Sequence, residues 1–74
     1  MNNEIKRQVG QRIRELRIIS GLTQKEVSEK LGVVLQQYQT YESGRYELDY
    51  KKMIEICKIF DVSADYLLGL SEYM

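Results

Sequence analysis

Histidine and proline are missing from these 74 residues, and cysteine occurs once, as Cys57. Each absence excludes a class of chemistry. One thiol forms no intramolecular disulfide, and one cysteine without histidine leaves a zinc site in a single chain without its ligands. There is no nucleophile with a base, no pair of catalytic carboxylates and no phosphate-cradling glycine loop, because the five glycines stand apart at 10, 21, 32, 44 and 69. The expectation is a protein that is not an enzyme, holds no metal or cofactor, and has no evident small-molecule ligand. The lack of proline and the scarcity of glycine favour helices over a sheet rich in turns. No apolar run approaches the ~20 residues that span a bilayer, and the first residues lack the apolar core of a signal peptide, so no membrane role is expected.

Excess charge is also lacking. Eleven cationic residues balance eleven anionic ones, which on its face argues against a polyanionic partner. The distribution is uneven, however. Residues 1–30 carry net +3 and the remainder −3, so a dipolar molecule can still turn a basic face to an anion. With 43% hydrophobic and 30% charged residues the composition is that of one soluble domain, 1–74. A core of this size is marginal, which makes a second copy a reasonable source of added stability.

The stretch Thr23–Ser43, TQKEVSEKLGVVLQQYQTYES, is where the chain is most informative. Thr23 and Glu26 have the spacing of a capping box. Val27 and Leu31 recur at i, i+4 beside the small Ser28, and Gly32 follows where a left-handed residue ends a helix at little cost. A second short pattern puts Tyr38 and Tyr41 on one inward face, with Leu35, Gln36, Gln39 and Thr40 largely on others. Two short helices meeting at one glycine form a helix-turn-helix pattern.

Gly21-Leu22-Thr23-Gln24 and the run from Gly32-Val33 to Tyr41-Glu42-Ser43-Gly44 resemble the phage-repressor and Cro-type, or XRE-like, helix-turn-helix family. The similarity extends to Ile13-Arg14-Glu15-Leu16-Arg17 upstream and to Val62-Ser63-Ala64-Asp65-Tyr66-Leu67-Leu68-Gly69 downstream, nearly the whole chain. The resemblance implies an all-α, five-helix, lambda-repressor-like fold and a cytoplasmic regulator, bacterial or phage-encoded, acting on the nucleoid. It further implies that Arg17 and Glu42 form a structural ion pair between the first and third helices. Cys57 stands where alanine is usual, which reads as a small buried thiol.

In order along the chain, residues 4–19 read as the first helix, with Ile5, Val9, Ile13 and Leu16 as its apolar stripe. One of Ile18 and Ile19 is expected to tuck under Leu22. After a connection at 44–48, Asp49 caps a helix of about Tyr50 to Phe60 whose apolar side is Met53, Ile54, Ile56, Cys57 and Phe60. Ser63 caps a short last helix, Ala64 to Leu68, ended by Gly69, and a tail follows. No further ligand or oligomerisation domain is recognisable after the motif.

For double-stranded DNA the expected reader is the helix at 35–42, with Leu35, Gln36, Gln37, Gln39 and Thr40 toward base edges. Glutamine can bond adenine N6 and N7 together, and with no arginine or lysine on that helix bidentate guanine reading is missing, so A·T-rich contacts are expected. Val34 takes the place of the Ser/Thr cap that relatives carry, at a cost of ~1 kcal/mol. Thr23, Gln24, Ser43, Arg45 and Tyr46 are the phosphate candidates, at helix ends. Tyr66, Leu67, Leu70 and Tyr73 resemble the region through which relatives form homodimers, although Leu67 also suits the monomer core. The resulting expectation is a repressor that binds an inverted-repeat operator as a dimer, with a regulatory protein as a further partner. The rival is a protein-interaction adaptor that keeps the fold without reading DNA, motivated by zero net charge, Val34-Leu35 and Ile18-Ile19.

Overall fold

The computed structural model describes residues 2–74, and these form five helices with no strand among them. They are α1 Asn2–Ile19, α2 Gln24–Leu31, α3 Leu35–Ser43, α4 Tyr50–Phe60 and α5 Ala64–Leu68. Local chemistry sets most of the boundaries. The Thr23 hydroxyl accepts from the Glu26 amide at 3.0 Å and the Glu26 carboxylate accepts from the Thr23 amide at 2.8 Å, closing both arms of the capping box. Asp49 and Ser63 accept from the amides of Lys52 and Tyr66 in the same way. Gly32, at φ 78°, ends α2 and turns the chain into α3.

The five largest fully buried side chains come one from each helix: Ile13, Val27, Tyr38, Ile56 and Leu67. Each such burial is worth roughly 1.5–3 kcal/mol, so all five helices contribute to one shared core. Val9, Leu16, Leu31, Tyr41 and Val62 complete the core. Cys57 is half-buried, and burial pushes its thiol pKa up, away from the reactive thiolate.

One close helix approach involves a residue that the apolar pattern does not mark. A β-carbon on Gly10 would lie against the carbonyl oxygen of Tyr41 and 2.6 Å from that of Glu42, so α1 and the end of α3 touch backbone to backbone. Gly44 repeats this one turn earlier on α1, where a β-carbon would stand 2.6 Å from the Cα of Arg7. These two glycines let the C-terminal end of α3 sit directly against α1.

Three expectations are corrected. Neither Ile18 nor Ile19 tucks in, since they are 53% and 74% exposed. The chain turns at Ser20-Gly21, with the Leu22 amide on the Arg17 carbonyl at 3.1 Å, and Leu22 itself returns to the core. Ile5 heads the α1 stripe but is mostly exposed, because it borders an open apolar groove with Tyr46, Tyr50 and Leu68 rather than a covering helix. Ile54 is exposed as well, on the side of α4 opposite the fully buried Ile56.

Candidate nucleic-acid interface

The anchor beneath the site is Arg17 with Glu42. Arg17 Nε donates to Glu42 Oε2 at 2.6 Å and Nη2 to Oε1 at 3.3 Å, and Nη1 reaches the Leu22 carbonyl at 3.0 Å. The side chains are 14% and 4% exposed. The Tyr38 hydroxyl and the Gln24 amide also donate to the same carboxylate. Burial alone pushes Glu42 upward, but the bonds from Arg17, Tyr38 and Gln24 outweigh it and hold the carboxyl below its ordinary range. The Tyr38 phenol is driven well above its usual value, first by burial and then by its bond to Glu42. Stranding either charge of such a pair costs about 3–5 kcal/mol, so these residues serve the fold.

Above this anchor, Tyr38, Tyr41 and Glu42 form the inward face of α3. Gln36, Gln37 and Gln39 are exposed on the outward face, while Leu35 and Thr40 are half-buried at its edges. Hydrogen bonds distinguish the glutamines. Gln37 bends along the helix and donates to the Tyr41 hydroxyl at 2.6 Å, and Gln39 donates to Gln24 at 3.1 Å. Gln36 is exposed and makes no side-chain hydrogen bond among the described residues. The Thr40 hydroxyl folds back and donates to the Gln37 carbonyl at 2.5 Å, which uses its one donor.

Thr23, Ser43, Arg45 and Tyr46 are exposed at the margins of this face. Ser43 donates to the Thr40 carbonyl at 3.2 Å, and the Arg45 and Tyr46 amides converge on the same oxygen at 3.0 and 3.3 Å. The Arg45 guanidinium lies 5.7 Å from the centre of the Tyr46 ring, in cation–π range. Gln24 differs from the other phosphate candidates: it is half-buried and spans Glu42 and Gln39. Val34, at the N-cap of α3, makes no side-chain cap bond.

On α5 Leu67 is wholly buried, which takes it out of the exposed dimer candidates and gives it to the monomer core. Leu70 and Tyr73 are 75% and 83% exposed, Tyr66 is half-buried, and Leu68, which the sequence reading did not single out, adds a further exposed side chain. Sequence reasoning also missed Gly10 and the Gln24–Gln39 link. A glycine inside a helical pattern was the available signal for the first. Nothing in the spacing announces the second, which depends on how α2 crosses α3.

A two-helix motif with a capped first helix, a glycine corner and a second helix uncovered on one side defines a helix-turn-helix domain. A family model described as a helix-turn-helix domain matches residues 10–71. Among curated proteins, the chain is 36% identical over 62 residues to YobD of Bacillus subtilis, an uncharacterized HTH-type transcriptional regulator, covering 84% of this chain and 55% of that one. It is 51% identical over 47 residues to the uncharacterized HTH-type transcriptional regulator YqaE, also of Bacillus subtilis, covering 64% of this chain and 40% of that one. It is 36% identical over 64 residues to the HTH-type transcriptional regulator ImmR of the same organism, covering 86% and 50%. The chain therefore belongs to the helix-turn-helix family of the XRE, Cro/repressor type, and it spans about half the length of the curated relatives it matches.

Proposed function

We propose that this chain binds an inverted-repeat operator as a two-fold dimer and represses transcription, with α3 in the major groove. The observation that carries the reading is the outward face of α3, where Gln36, Gln37 and Gln39 stand exposed over a helix locked from beneath by Tyr38, Tyr41 and Glu42. Gln36 has its carbonyl and its NH2 available for adenine N6 and N7, with Leu35 and the Thr40 methyl suited to thymine methyl groups. Arg45, Thr23, Ser43 and Tyr46 supply phosphate contacts at the helix ends, and Gln24 supports the reading helix from its side. Leu70 and Tyr73, with Tyr66 and Leu68, form the dimer surface, which sets half-sites about one helical turn of DNA apart.

Selection of duplexes from a random pool tests this reading. The expected product is a palindrome with A·T-rich half-sites, and enrichment of half-sites made only of G·C pairs would overturn it. A second reading, a protein-interaction adaptor with a regulatory protein as its partner, draws on the exposed Ile18-Ile19 pair and the absence of any cation on α3. Random DNA at low salt separates the two. A DNA binder loses affinity steeply as salt rises, whereas an adaptor binds little at any salt.

A further inference from the structure

Arg12 and Glu72 border the same open depression beside the end of α5, and they make no ion pair with each other. The depression, about 430 Å³ in volume, is lined by Arg12 from α1 and by Tyr66, Gly69, Leu70, Ser71 and Glu72. The Arg12 guanidinium lies against Gly69, where an added β-carbon would stand 3.0 Å from Nη2 and 3.2 Å from Nη1. Its Nη1 is buried without a hydrogen-bond partner among the described residues. Glu4 and Glu15, on the outer side of α1, do not pair with it either. A buried donor left unmet is costly, so the guanidinium gains from a carboxylate that draws it into the depression. Glu72 is held in place to meet such a cation. The Leu70 amide donates to the Asp65 carbonyl at 2.8 Å, the Tyr73 amide to the Ser71 hydroxyl at 3.1 Å, and the Ser63 amide to the Met74 carbonyl at 2.8 Å. The exposed Glu72 therefore sits on a segment whose backbone is tied to α5 on both sides of it.

We propose that a second copy of this chain docks in this depression, with Arg12 of each protomer pairing with the partner's Glu72 around Leu70. The proposal rests on the dimer reading above and adds to it what selects the partner. A two-fold interface sets one patch against itself, so each charge needs its opposite within that patch. One unpaired cation, one unpaired anion and the 75% exposed Leu70 meet that condition. A purely acidic or purely basic partner matches one of these charges and opposes the other. A second copy turned by half a revolution matches both, and it brings the acceptor that Arg12 lacks. Tyr73, 83% exposed on the same tail, extends the patch. A copy with either sign reversed meets like charge twice, so the two residues decide which chains pair.

Sedimentation at micromolar concentration compares the wild type, Arg12→Glu, Glu72→Arg, the double variant and an equimolar mixture of the two single variants, with folding checked by circular dichroism. Each single variant sets like charges together twice in its own dimer, and its dimer Kd should rise about tenfold or more. In the mixture one chain is acidic at both positions and the other basic at both. A dimer of one of each should therefore form to within about threefold of the wild type. The double variant should recover as well. Recovery in the double variant but not in the mixture would show the two charges pairing within one chain, and overturns the inference. Wild-type dimerisation in both single variants also overturns it, and leaves the dimer reading standing on another surface. A wild type that stays monomeric with and without its selected duplex overturns the dimer reading, and this pairing with it. Should Arg12→Glu not fold, Glu72→Arg is set against Glu72→Gln and against Glu72→Arg combined with Arg12→Met. The Glu72→Gln dimer should then be the stronger of the first two, and Arg12→Met should restore part of what Glu72→Arg loses. A Glu72→Arg dimer as strong as that of Glu72→Gln overturns the inference.

Discussion

Gly10 packs against the backbone of Glu42 so closely that a β-carbon would stand 2.6 Å from its carbonyl oxygen. The atoms in the way are main chain, held in the hydrogen-bonded end of α3, and have no rotamer to swing aside. Gly10→Ala would gain up to ~1 kcal/mol of helix propensity but would push two helices apart. Overpacking of that kind costs about 1–3 kcal/mol, so the net effect is destabilising. Urea unfolding of the variant should show a lower midpoint with an unchanged slope, and operator affinity should fall further than stability alone explains, because α3 is tilted.

The same residue shows where reading from sequence stops. The caps at Thr23, Asp49 and Ser63 were legible because each depends on three or four consecutive residues. Tyr38 and Tyr41 were placed inward by helical spacing, and Arg17 with Glu42 by family resemblance. Gly10, by contrast, depends on which backbone arrives opposite it, a tertiary fact. Ile18 and Ile19 looked coverable because the apolar Leu22 follows them closely, yet the chain turns away at Ser20-Gly21 and leaves both outside. Gln24 sits at the first position of α2, where a phosphate contact is the local expectation. Its link to Gln39 exists because α2 crosses α3 at that point.

Acid should unfold this protein through Glu42. Its carboxyl is held below the ordinary value of about 4.3, so across that interval the unfolded chain binds more protons than the folded one. The stabilisation is complete above the unfolded pKa and is lost as pH falls through the folded one. With no histidine in the chain, little else titrates between pH 5 and 7. Urea midpoints should be flat over that range and drop below about pH 4. Glu42→Gln should be less stable at pH 7 and show a much weaker acid dependence.

Val34 offers a gain. Its backbone, at φ −71° and ψ 156°, already has N-cap geometry, its side chain is 65% exposed, and no side-chain oxygen meets the free amides of α3. Val34→Ser supplies that oxygen and removes little buried surface. The expected gain is about 1 kcal/mol, or roughly 4–8 °C in Tm for a domain of this size. Calorimetry without DNA checks it, and an unchanged Tm would mean that those amides are already satisfied by water.

Arg45 separates positioning from reading. It is exposed beyond the end of α3, and its guanidinium lies over the neighbouring Tyr46 ring, so Arg45→Ala should leave stability within about 0.5 kcal/mol. A phosphate contact carries no sequence information, and its loss should weaken every duplex by a similar factor. Titration against salt should show the slope of log K with log salt shallower by about one per half-site. Gln36→Ala should do the reverse, leaving the slope alone and relaxing preference at one base pair. If Arg45→Ala instead changed the selected sequence with the salt slope unaltered, the loop would have to reach the base edges, and α3 would lie in the groove at a different angle from the one proposed.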